Sequence, residues 1–113
     1  ARLVADEGAV RLALGEIMTE PKPRVWFDPP ERPWQPGALE LDRRTRMLYD
    51  ERHVYINGEA LRAAGRDARL MWALADRRGL SAQAVRRASA AAQALLAHWH
   101  EAGWLHLKGE SLD

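Results

Sequence analysis

Apolar residues first recur with helical spacing between Ala9 and Glu20, where Val10, Leu14, Ile17 and Met18 stand at i, i+4, i+7 and i+8. That spacing draws one apolar stripe along an α-helix, with Arg11, Glu16 and Glu20 on its other side. Pro21 stops the helix, because the residue before a proline is pushed out of the α region. All six prolines of the chain then fall in PKPRVWFDPPERPWQP, Pro21 to Pro36, where fixed φ and missing amide donors exclude a regular helix or a central strand. This strap is not a polar one. Its Trp26, Phe27 and Trp34 would expose a large apolar area to water, so they are expected to dock it, either on the core of the same domain or on a neighbour.

From Thr45 the period falls to two: Met47 and Tyr49 alternate with Leu48, and His53 and Tyr55 with Val54 and Ile56, which is the pattern of strands. Asp50, Glu51 and Arg52 supply the first turn. Asn57-Gly58 supplies the second, since a type I′ turn needs positive φ at both central residues, and a third strand from Glu59 to Arg62 completes an antiparallel meander. Helical signals resume at Asp67, read as an N-cap. Leu70, Met71 and Leu74 line the inward face, Trp72 lies off it, and Gly79 is available to end the helix just past Arg78. Ser81 caps a second, short helix to about Ala88. Ser89 caps a third, in which Ala92, Leu95, Leu96, Trp99 and Ala102 share one face before Gly103 closes it. The predicted core therefore centres on Leu70, Leu74, Leu95, Leu96 and Trp99. Trp104 to Leu107 reads as a last strand or an extended end, and the tail GESLD as frayed. Helices joined by the tight turns RRGLS and RAS, beside a small sheet, predict an α+β fold. A winged-helix-like domain would occupy residues 38–113, preceded by a helix within residues 1–20 and a proline-rich strap over 21–37.

Composition narrows the function classes. With 47% apolar and 29% charged residues over 113 positions, the chain is long enough for one cored domain and is not a disordered tail. Residues 1–44 carry seven basic and eight acidic side chains, and residues 45–113 ten and eight, so neither part is a basic module that would seek nucleic acid by charge. The absence of cysteine excludes disulfides, thiolate catalysis and cysteine-ligated zinc, and fits a reducing cytoplasm. No apolar stretch approaches the roughly 18–20 residues that span a bilayer, and ARLVADEG has no signal-peptide pattern. The chain begins at Ala1 with no methionine and is expected to be a piece of something longer.

Four histidines invite a search for metal ligands, but none is followed by the x-Asp or x-Glu of a facial iron triad. His98 and His100 project about 200° apart on their helix and cannot share an ion. There is no His-Glu-x-x-His, no Walker loop and no Gly-x-Gly-x-x-Gly. Ser81 and Ser89 are explained as caps, and Ser111 sits in the tail. No catalytic, cofactor-binding or metal-ligating residue is assigned. The last helix of the trio, SAAAQALLAHWHEAG, contains no Arg or Lys, one Gln and one Glu, whereas a groove-reading helix needs donors that reach base edges and phosphates. Arg86 and Arg87 precede it as a solvated pair.

Taken in order, GEIMTE, DPPERPWQP, MLYDERHVYINGEAL and the closing HEAGWLHLKGE resemble the C-terminal part of the bacterial ribosomal oxygenases, cupin or JmjC-type arginine hydroxylases that act on a ribosomal protein of the large subunit. VYINGE, Val54 to Glu59, and the proline strap are the most specific pieces. In that family an Fe(II)- and 2-oxoglutarate-dependent β-helix domain is followed by helices that mediate dimerisation and then by a winged helix. The resemblance implies that residues 1–20 end the dimerisation region and that Val10, Leu14, Ile17 and Met18 lie in a homodimer interface. It also implies a non-catalytic accessory domain that supports dimerisation and the substrate surface of a ribosomal-protein hydroxylase. The family's iron ligands have no match in this chain, so Fe(II) and 2-oxoglutarate would belong to a catalytic domain outside it. No DNA partner, no membrane partner and a cytoplasmic location are the accompanying expectations. Apart from the resemblance, the residues also suit a winged-helix interaction module of another multidomain protein, and less well a DNA-binding transcription regulator.

Overall fold

The computed structural model describes residues 7–21 and 25–109; the rest of the tail expected to fray lies outside the described residues. The chain runs α1 (Glu7–Thr19), β1 (Leu39–Leu41), β2 (Met47–Tyr49), β3 (His53–Ile56), β4 (Glu59–Arg62), α2 (Gly65–Arg77), β5 (Gly79–Leu80), α3 (Ala82–Arg86), α4 (Ala90–Glu101) and β6 (Leu105–Leu107). The fold is α+β. Among the described residues the strands form two antiparallel sheets, β2-β3-β4 and β5-β1-β6.

The first sheet is the expected meander. Asn57 and Gly58 take φ values of 46° and 88° and join Ile56 to Glu59 directly across the hairpin, as a two-residue type I′ turn requires. Val54 and Ile56 enter the core on one face. Tyr55, on the opposite face, is only 3% exposed, because α1 lies over the meander. The strand alternates in direction but is covered on both sides.

Of the second sheet only the last strand, β6, was expected from the sequence. β5 follows α2 and β6 follows α4, so α2-β5-α3-α4-β6 keeps winged-helix order. The middle strand, β1, arrives from ahead of the helices: Leu39 faces both Leu80 and Leu107.

Two helix ends differ from expectation. α2 begins at Gly65 behind Ala64, which offers no side-chain cap, and Asp67 instead accepts the Ser89 hydroxyl at 2.8 Å. That bond ties the first turn of α2 to the start of α4. At the other end Arg78, with φ 59°, takes the left-handed position at a steric cost of about 1–2 kcal/mol. Its guanidinium donates to the carbonyls of Asp42 and Thr45 at 2.8 and 3.0 Å, which offsets the strain. Gly79 is needed one residue later, where a Cβ would stand 2.9 Å from the Leu39 carbonyl oxygen. Ser81 and Ser89 cap α3 and α4 by accepting from Ala84 and Ala92 N–H, although α3 already ends at Arg86.

Leu74, Leu96 and Trp99 are fully buried, with Leu70 and Leu95 half-buried around them. Trp72 stacks on Tyr49 at 5.6 Å. In the strap, Phe27 tilts against Trp104 at 6.3 Å and Trp34 against His100 at 5.7 Å, while Trp26 is 76% exposed. The strap can lie so close because Gly103, at φ 82°, has no side chain; a Cβ there would collide with the Asp28 carbonyl. Arg44 clamps the same point, its guanidinium 5.5 Å from the Phe27 ring and 3.5 Å from the Asp28 carboxylate.

Arg44 in turn bonds Asp42 through Nε at 2.8 Å and Nη2 at 3.0 Å, and His106 Nε2 stands 2.7 Å from the same carboxylate. Burial raises the Asp42 pKa, but these hydrogen bonds and the Arg44 charge outweigh it and hold the carboxyl well below the usual range. A depressed folded-state pKa stabilises fully above the ordinary value of about 4 and is lost as pH falls through the folded value. Asp42→Asn should therefore cost about 1–3 kcal/mol at pH 7. In denaturant unfolding the difference from wild type should shrink steadily below about pH 4.

Candidate functional site

α1 has two faces with different chemistry. At 100° per residue, Leu12, Gly15, Glu16 and Thr19 lie opposite Val10, Leu14, Ile17 and Met18. The small-residue face is the one that docks. Gly15 meets the Tyr55 ring so closely that a Cβ would overlap it, and this contact lets the helix backbone lie against the meander.

Thr19 fixes the end of the helix. Its hydroxyl, fully buried, donates to Gly15 O at 2.8 Å and accepts from Gly58 N–H at 2.9 Å. One side chain thus joins the last turn of α1 to the hairpin turn. Below the helix the Tyr55 hydroxyl donates to Asp50 at 2.6 Å; burial and that carboxylate push the phenol pKa up to about 12.

The consequence is that the apolar stripe points away from its own domain. Val10 is 42% exposed, Leu14 52%, Ile17 63% and Met18 59%. The four form one ridge, held rigidly from behind. Single exposed apolar residues are ordinary, but a continuous apolar row marks an interaction surface. The stripe was legible from its spacing; the docking face was missed. Its signal was a pair of small residues, Gly15 and Thr19, four apart on the opposite side.

Of the strap residues, Phe27 and Trp34 lie against Trp104 and His100 within the domain, and Trp26 does not join them. The core residues Leu74, Leu96 and Trp99 are fully buried. Among the described residues no cluster of three His, Asp or Glu side chains could hold a metal, and no helix is long and apolar enough to cross a membrane.

Comparison with known proteins places this geometry. The profile of the ROXA-like winged helix family matches residues 2–106. No curated protein matches the chain. Among solved structures, Escherichia coli YcfD, a ribosomal oxygenase, in complex with cobalt and succinic acid is similar at 24% identity and a TM-score of 0.77, over 95% of this chain and 32% of that one. A crystal structure of the same protein aligns at 25% identity and a TM-score of 0.73, over 91% and 31%. Its complex with cobalt and 2-oxoglutarate gives 24% and 0.72. The chain spans about a third of the length of the solved proteins it matches.

Proposed function

The chain belongs to the ROXA-like winged helix family, and from that premise we propose that it is the non-catalytic C-terminal accessory domain of a ribosomal-protein hydroxylase dependent on Fe(II) and 2-oxoglutarate. Its task is to support dimerisation and to help form the surface on which the ribosomal protein is received. The observation that carries this is the exposed ridge of Val10, Leu14, Ile17 and Met18 on a helix whose other face is already docked. Residues 1–20 end a dimerisation region, 21–37 form the strap, and 38–113 form the winged-helix domain. In the parent protein the ridge meets a second copy, making a homodimer.

The metal and the co-substrate belong to the catalytic domain. The donor set here does not fit them: the described residues bring no three ligating side chains together, and no chemical step is assigned to this chain. A cytoplasmic location accords with that role. An interaction module from another multidomain protein would use the same ridge, but it leaves the likeness to a ribosomal oxygenase over 95% of the chain without an explanation. The regulator reading is disfavoured by α4. Its Gln93, the one amide side chain on that helix, donates instead to the carbonyls of Val85 and Ala88 at 3.2 and 3.4 Å.

The test is self-association. Leu14→Asp with Ile17→Asp should leave the fold intact, because both side chains face solvent, and should lower the oligomeric state of the parent protein in sedimentation velocity. Burial of such side chains contributes about 1.5–3 kcal/mol each, so the two aspartates should shift the dimer constant by at least a hundredfold. An unchanged sedimentation coefficient would assign the ridge to another role.

A further inference from the structure

A second surface lies apart from the ridge. Between the β2–β3 turn, the end of β4 and the first turns of α2 the molecule has an open groove of about 560 Å³. Its apolar lining includes Ala64, Ala68 and Trp72, whose ring is already stacked on Tyr49. Arg52, Arg62 and Arg69 stand around it. All three are exposed.

None of these guanidinium groups makes a hydrogen bond or ion pair with another described residue. This is unlike the neighbouring surface, where Arg44 and Arg78 are fully engaged with Asp42, Asp28 and Thr45. Three guanidinium groups from three separate segments around one groove present positive charge that an anionic partner would complement. Arginine is also the side chain whose fork matches a carboxylate in two parallel hydrogen bonds.

We infer that this groove docks an acidic peptide segment carrying one apolar anchor residue: the anchor sits over Ala64, Ala68 and Trp72, and flanking carboxylates pair with Arg52, Arg62 and Arg69. Charge complementarity selects an anionic partner. One feature selects a peptide over a nucleic acid. The single aromatic ring present has one face taken by Tyr49, whereas single-stranded nucleic acid is held by open ring faces on which successive bases stack. The site is independent of the ridge on α1 and of the function proposed for it.

The probe is a fluorescein-labelled peptide of glutamate and aspartate residues around a central leucine, titrated with the chain and followed by anisotropy. Saturable binding is expected, weakened at least tenfold by Arg62→Glu with Arg69→Glu, weakened by added salt, and weakened when the leucine of the peptide is replaced by serine. Amide shifts on binding should centre on Gly65, Ala68 and Arg69 and include the Trp72 indole. Leu14→Asp with Ile17→Asp should leave the affinity unchanged, which separates this site from the dimerisation surface. The inference is overturned if the peptide does not bind saturably, or if the double arginine variant binds it as well as wild type. It is equally overturned if oligouridylate binds more tightly than the peptide through the same arginines.

Discussion

Trp99→Ala should lose about 3–5 kcal/mol of stability in denaturant unfolding, the largest single-residue effect expected here. Trp99 is fully buried in the last turn of α4, within a cluster that also holds Leu74, Val85, Leu96 and Leu105. Truncation leaves a cavity in a close-packed core, whose walls relax only partly. Trp99→Phe separates packing from polarity. Its indole N–H is buried with no acceptor, so phenylalanine gives up some packing but also removes an unsatisfied donor worth about 1–3 kcal/mol. The phenylalanine variant should therefore lie much nearer to wild type than to alanine. A loss under about 1 kcal/mol for Trp99→Ala would mean that α4 presents a different face to the core.

Gly15→Val should detach α1 from the meander while leaving the rest folded. In most helices replacing a glycine gains up to about 1 kcal/mol in propensity. Here the new Cβ would run into the Tyr55 ring, which is 3% exposed and cannot swing away, and overpacking of this kind costs about 1–3 kcal/mol or more. The steric term wins. Tyr55 supplies the readout: its pKa, pushed up to about 12 by burial and by Asp50, should fall back toward the ordinary value of about 10 once the helix lifts. Ultraviolet titration of the two tyrosines should then show one phenol ionising earlier than in wild type. An unaltered titration with unaltered stability would place α1 elsewhere.

The sequence was most legible where one local rule decides the structure. Asn57-Gly58 demands its turn, Ser81 and Ser89 cap the helices that follow them, and a four-residue stripe names a helix face. It was least legible where partners are far apart. β1 and β5 are three and two residues long, too short to carry a period, and exist only because Leu39 meets Leu80 and Leu107. Arg78 takes a position that sequence rules give to Gly79, because loop carbonyls more than thirty residues back reward its guanidinium. The docking face of α1 escaped notice for a similar reason. Gly15 and Thr19 have no apolar signal of their own and acquire meaning only opposite Tyr55 and Gly58. Arg52, Arg62 and Arg69 likewise lie in three segments that only the tertiary fold brings around one groove.

The placement of β1 between β5 and β6 bears on how the chain is made. Leu39 and Leu41 leave the ribosome long before Leu105 and Leu107, their partners along one whole edge. At roughly 5–20 residues per second the central strand waits several seconds with an open edge and two core leucines unprotected. The proline strap directly ahead of it cannot extend that edge, since prolines donate no ladder bonds. A nascent chain can therefore assemble the meander and the first helices early, yet closes its second sheet only once β6 has been made, and any product cut short after α4 would leave β1 paired with β5 on one side and open on the other.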